Sequence, residues 1–138
     1  MAQEKNFENQ VKKFLESRAI YPFGIATNKM FYGEPCGYYE KRWGGAFVKS
    51  GLPDLSICVY GFTVEVELKA ANGHPSEIQK YMLNQIRQSK SFGILLYPKD
   101  FDTFKKFIDR LIEIGDRYEV ATHYVLNEPF KDLLKGGI

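Results

Sequence analysis

Asp54, Glu67 and Lys69 are the residues of this chain whose types and spacing can do chemistry together. Around them hydrophobicity alternates strictly, with Leu55, Ile57 and Val59 before Tyr60-Gly61 and Phe62, Val64, Val66 and Leu68 after it. Period-two alternation on both sides of a two-residue break predicts two antiparallel strands joined by a tight turn. With Tyr60 and Gly61 in that turn, Val59 faces Phe62, Cys58 faces Thr63, Ser56 faces Glu65 and Asp54 faces Glu67. This register collects every apolar residue of both strands on one face, whereas a slip of one residue would scatter them.

The register has a chemical consequence. Two carboxylates directly opposite each other, with Cβ atoms about 5 Å apart, repel unless something compensates. A divalent cation between them turns the repulsion into binding, and hard oxygen donors of this kind suit magnesium or manganese. Lys69 lies two residues beyond Glu67, so alternation puts its ammonium on the same face. Two acids for a metal and one amine for a water make a hydrolytic constellation. Glu65 shares the face and is a further candidate ligand, although the Glu-x-Lys spacing favours Glu67. The plain structural alternative is a solvent-facing strand edge of Thr63, Glu65, Glu67 and Lys69.

Other elements must hold this hairpin in place. Phe7, Val11, Phe14 and Leu15 recur at helical spacing and predict a first helix over about residues 4–19, with Glu8 on the edge of its stripe. Residues 21–50 lack periodicity, apart from a candidate strand over Tyr38 to Trp43. Ser76 and Gln79 form an S-x-x-Q capping box ahead of Ile78, Met82 and Ile86, so a second helix starts at Ser76. Phe92 to Tyr97 is a short apolar run stopped by Pro98, expected as a strand buried on both faces and parallel to a neighbour. Phe101, Phe104, Phe107, Ile108, Leu111 and Ile114 predict a third helix over about 101–114, with Gly115 as its stop. Tyr118 to Leu126 is a weaker strand candidate, and a short helix is expected in the last dozen residues. The expected fold is α/β, a small mixed sheet flanked by helices in α-β-β-β-α-β order plus a C-terminal helix.

Composition narrows the class. The 138 residues, 44% apolar and 26% charged, fit one domain over 1–138 and exclude collagen-like and fully disordered chains. No apolar run is long enough to span a bilayer, so no membrane partner is expected. The net charge of +2 is too small to announce nucleic acid by itself, but the basic excess gathers in the first 50 residues, at Lys12, Lys13, Arg18, Lys41, Arg42 and Lys49. Tyr38, Tyr39 and Trp43 lie among these cations, where they serve either as a stacking surface or as core. Cys36 and Cys58 match no metal or redox spacing and are expected as reduced thiols. The polar N-terminus shows no secretory signal, which makes a cytoplasmic protein the expectation.

Gly51-Leu52-Pro53-Asp54, then Glu67-Leu68-Lys69, then Ser76-x-x-Gln79 resembles the PD-(D/E)xK nuclease superfamily, and within it the small VRR-NUC type nucleases of phages and bacteria. RecU-type Holliday-junction resolvases are a neighbouring resemblance. The likeness runs from Phe7-Glu8-Asn9-Gln10 to about Phe104. It implies a restriction-endonuclease-like core and a magnesium-dependent deoxyribonuclease, with manganese as a substitute. It also implies roles: Asp54 and Glu67 as metal ligands, the Leu68 carbonyl completing the coordination, and Lys69 orienting or deprotonating the attacking water. Glu8 matches the first-helix acid that extends the metal site, and Gln79 the helix residue that supports the lysine. The implied partner is DNA, linear or branched. A chain this small acting on a four-way junction is expected to work as a symmetric homodimer. The rival expectation is a non-catalytic nucleic-acid binding module on the same fold. His74, in the loop beside the site, is a candidate substrate contact, and His123 has no identifiable partner.

Overall fold

The computed structural model describes residues 2–24, 34–43 and 50–117. The alternating segment forms the centre of its sheet, as β3 (Leu55–Val59) and β4 (Phe62–Leu68). They pair antiparallel in the expected register, Val59 with Phe62, Cys58 with Thr63, Ser56 with Glu65 and Leu55 with Val66. Tyr60 and Gly61 both have positive φ, 45° and 87°. Positive φ at both central residues is the condition for the two-residue turn that matches the twist of its strands.

Three further strands extend this hairpin. β1 (Ile20–Pro22) pairs parallel with β2 (Gly37–Lys41), and β2 pairs antiparallel with β3. β5 (Phe92–Leu96) pairs parallel with β4, giving the order β1-β2-β3-β4-β5. A parallel neighbour needs a crossover, and α2 (Glu77–Gln88) supplies it. Gly37 is required by the close packing of β2 on β3: a Cβ there would lie 1.9 Å from the Cys58 carbonyl oxygen.

Two helices cover one face of the sheet. α1 (Ala2–Ser17) brings Phe7, Val11, Phe14 and Leu15, and α3 (101–117) brings Phe104, Ile108 and Leu111. They meet Leu55, Ile57, Val59, Val64, Val66, Leu68 and Leu96, all buried. Each such side chain stabilises the fold by roughly 1.5–3 kcal/mol relative to leaving it in water. Phe101 locks α3 to α1 through edge-on contacts with Phe7 and Phe14, at centroid distances of 5.5 and 6.2 Å. α2 lies on the opposite face, where Gly93 lets it approach: a Cβ there would meet the Leu83 carbonyl oxygen at 3.1 Å. The result is an α/β architecture with a mixed five-strand sheet and helices on both sides.

Several expectations need correction. α1 ends at Ser17, and β1 is a strand that the pattern did not announce. β5 stops at Leu96 and lies at the end of the strand order, with Phe92, Ile94 and Leu95 only half-buried, so it is not covered on both faces. Gly115 does not stop α3, which continues through 117. Its role is close approach, since a Cβ there would sit 2.4 Å from Tyr60 Cβ. The expected strand at 118–126, the final helix and His123 lie outside the described residues. No helix among the described residues is long and apolar enough to cross a membrane.

Candidate active site

Asp54 precedes the first paired residue of β3, one step beyond the Leu55–Val66 pair, and so stands opposite Glu67 as the register requires. Its Oδ2 accepts the Leu68 N–H at 2.8 Å, which fixes the carboxylate across the end of the hairpin. The main-chain carbonyl of Asp54 accepts the Arg42 N–H at 2.8 Å, tying the same residue to the end of β2.

Glu67 is 2% exposed, out of phase with the apolar residues of β4 and turned toward α2. Gln79 Nε2 donates to its Oε1 at 3.1 Å, and Lys69 Nζ lies 3.6 Å from the same oxygen. Its Oε2 is buried with no hydrogen-bond partner. Burial above all, then the neighbouring Asp54 carboxylate, raise the Glu67 pKa to about 8, with Lys69 opposing and Glu4 adding to the rise. A carboxyl held this way is ionised near neutrality only if positive charge joins it.

Gln79 does two things with one amide. Its Oε1 accepts the Ser76 N–H at 2.9 Å, and the Gln79 main-chain N–H donates to Ser76 Oγ at 3.2 Å, completing the expected capping box. Its NH₂ group remains free to reach Glu67. The cap that starts α2 therefore also aims a donor into the site.

Glu8 reaches the site from α1 through a lysine. It is 5% exposed; Lys41 binds its Oε1 at 2.6 Å, while Lys12 and Lys5 bind its Oε2 at 2.9 and 3.0 Å. Burial pulls its pKa upward, but hydrogen bonds from Lys41, Lys12 and Lys5 outweigh that and hold it down at about 2. Lys41 Nζ also lies 3.9 Å from Asp54 Oδ1. Both Glu8 oxygens are engaged by ammonium groups, a geometry that suits anchoring those cations better than direct ligation of a metal.

The structure thus brings together Asp54, Glu67, Lys69 and Gln79, with Leu68 at the end of β4 and Glu8 joined through Lys41. The sequence pattern put Lys41 in a basic patch but not beside Asp54, a position that follows from its pairing with Leu55 in β2 and β3. Nor did it give partners to Arg42, whose guanidinium holds Glu65 at 2.6 and 3.2 Å and the Pro53 carbonyl at 3.0 Å. Glu65 further accepts from Ser56 Oγ at 2.8 Å, so this carboxylate is already satisfied and is not free to replace Glu67. Tyr39 is core, its hydroxyl donating to Glu16 at 3.0 Å, whereas Trp43 is exposed. His74 is exposed in the loop beside the site. A cleft of about 650 Å³ between β5 and α3 is lined by Phe92, Ile94, Phe104 and Phe107 and by none of the site residues.

The donor set fits a hard divalent cation. Magnesium takes one or two carboxylates and keeps several waters, and here one of two facing carboxylates holds a buried oxygen without a partner. Among the described residues no cluster of three or more His, Cys, Asp or Glu is placed to hold an ion. The chain matches no family model, no curated protein and no solved structure.

Proposed function

We propose that this chain is a magnesium-dependent nuclease that hydrolyses DNA phosphodiester bonds, with a PD-(D/E)xK type of site on a restriction-endonuclease-like core. The observation that carries this reading is the buried carboxyl of Glu67 facing Asp54, with Lys69 3.6 Å from one oxygen and the other oxygen unpartnered. Folding alone gains nothing from two acids at such close quarters.

Asp54 and Glu67, with the Leu68 carbonyl, would hold the ion, which supplies an acidified water and positive charge against the phosphate. Every other task falls to side chains already in place. The Leu68 N–H fixes Asp54, and Gln79 fixes Glu67, so neither carboxylate needs to reorganise on binding. Lys69 stands where it can orient the attacking water and hold positive charge beside the phosphate oxygens. Lys41, pinned between Glu8 and Asp54, adds a second cation on the other side of Asp54. In this reading the protein acts in the cytoplasm, and cleavage of branched or four-way DNA would require a homodimer.

The test is cleavage of linear, flapped and four-way DNA in magnesium and manganese by wild type and Lys69→Ala. Loss of cleavage in the variant is expected; equal activity in both removes the mechanism. A second reading, a nucleic-acid binding module without hydrolysis, draws on Lys5, Lys12 and Lys41 clustered near the exposed Trp43. Tight binding in EDTA with no cleavage in either metal would favour it.

A further inference from the structure

Trp43 is 66% exposed. Tryptophan carries one of the largest apolar surfaces of any side chain and is highly buried on average, and this one stands exposed between two lysines. The backbone beside it is held: the preceding residue, Arg42, donates its N–H to the Asp54 carbonyl, and its side chain grips Glu65 and Pro53. Two ammonium groups stand over the indole, Lys5 at 5.5 Å and Lys41 at 5.9 Å from the ring centroid. Lys41 is also 3.9 Å from Asp54 Oδ1. The ring therefore lies within about 10 Å of the Asp54 carboxylate. At about 3.4 Å of rise per stacked nucleotide, that is a reach of roughly three nucleotides.

A flat exposed ring flanked by cations, close to a site that would take a phosphate, has the parts of a single-strand binding surface, where bases stack on aromatic side chains and cations track the backbone. A base inside a continuous duplex has both faces covered by its neighbours and cannot use such a ring. Only an unpaired or extruded base can. We infer that Trp43, with Lys5 beside it, is a stacking platform for one unpaired nucleobase near the phosphate engaged at Asp54 and Glu67, so that single-stranded or flapped DNA is preferred over continuous duplex. This rests on the reading of that site as one for phosphodiester hydrolysis.

Trp43 is the single tryptophan of the chain, so emission excited at the red edge of the spectrum, beyond the absorption of the nine tyrosines, reports on this ring alone. Wild type is titrated in EDTA with a short oligothymidylate and with a blunt duplex of the same length, while the anisotropy of labelled DNA follows binding independently. The expected results are saturable quenching by the oligothymidylate, a loss of its affinity of roughly 5- to 100-fold in Trp43→Ala, and retention of most of it in Trp43→Phe. Duplex affinity should change by less than about threefold. Unchanged emission when anisotropy reads saturation, no binding of the oligothymidylate, or an equal loss for both DNA forms in Trp43→Ala overturns the platform. The two readings fail separately. Wild-type cleavage rates in Trp43→Ala, with no quenching in wild type, remove the platform and leave hydrolysis standing. Quenching with no cleavage by wild type in magnesium does the reverse.

Discussion

The Gln79 side chain donates to Glu67 Oε1 at 3.1 Å while its own oxygen accepts the Ser76 N–H at 2.9 Å, so one residue both starts α2 and holds a carboxylate of the site. The two roles separate by substitution. Gln79→Ala removes both and should cost about 1 kcal/mol of stability and about 10- to 100-fold in cleavage rate. Gln79→Glu keeps an oxygen for the Ser76 N–H but turns a second negative group toward Glu67. It keeps the cap but should melt below wild type at neutral pH, where the added carboxylate repels its neighbours, and should lose activity as severely as Gln79→Ala. Thermal melts followed by circular dichroism, alongside cleavage rates in magnesium, check both; wild-type activity in Gln79→Glu would mean that the contact with Glu67 is incidental.

Glu67 sets a pH dependence of stability. Its pKa is raised from 4.5 to about 8 by burial and by Asp54, so the folded protein keeps a proton that the unfolded chain releases. That contribution is fully present below about pH 4.5 and is lost as pH rises through about 8. Metal-free wild type should therefore lose melting temperature between these limits, and Glu67→Gln, which cannot ionise, should lose less. Magnesium should raise the wild-type melting temperature more at pH 8 than at pH 5 and leave Glu67→Gln unmoved. Parallel curves for the two proteins in EDTA would count against the carboxyl pair.

Legibility in the sequence followed the range of the interactions. The β3–β4 hairpin was readable because alternation and a two-residue turn fix register locally, and Tyr60 and Gly61 adopt the positive φ that such a turn needs. The facing of Asp54 and Glu67 followed from it, as did the capping box at Ser76. Lys41 and Arg42 were not assigned partners because their contacts, to Glu8 and Glu65, span 33 and 23 residues. They depend on how β2 docks on β3, which no short turn dictates. β1 is three residues long, too short for any period to register, and exists through its pairing with β2. Gly115 was misread because a glycine that ends a helix and one that admits the Tyr60 side chain look alike in one dimension.

Glu8 should behave as the counterion of a lysine cluster. Its pKa is held near 2 by Lys41, Lys12 and Lys5, so the stability it contributes is present above the ordinary value of 4.5 and is lost as pH falls from there toward 2. Glu8→Gln should lower stability at pH 7 by about 2 kcal/mol, discounted because Lys5 is half in solvent. The difference from wild type should shrink to near zero at pH 2. Urea melts at several pH values measure this directly, and a difference independent of pH would show that shape, not charge, is what Glu8 provides.

Glu65 and Glu67 lie two residues apart on one face, yet should answer magnesium differently. Glu65 is satisfied by Arg42 and Ser56, whereas Glu67 has an oxygen with no partner. Glu65→Gln weakens a charge-assisted pair and should lower stability by about 1–3 kcal/mol, with magnesium affinity within about threefold of wild type. Glu67→Gln should abolish magnesium binding without a comparable loss of stability, because the metal-free Glu67 carboxyl holds its proton up to about pH 8 and the amide replaces a neutral group of the same shape. Isothermal titration with magnesium at pH 8 distinguishes them. Loss of binding in Glu65→Gln with binding kept in Glu67→Gln would move the metal to the other carboxylate and overturn the assignment.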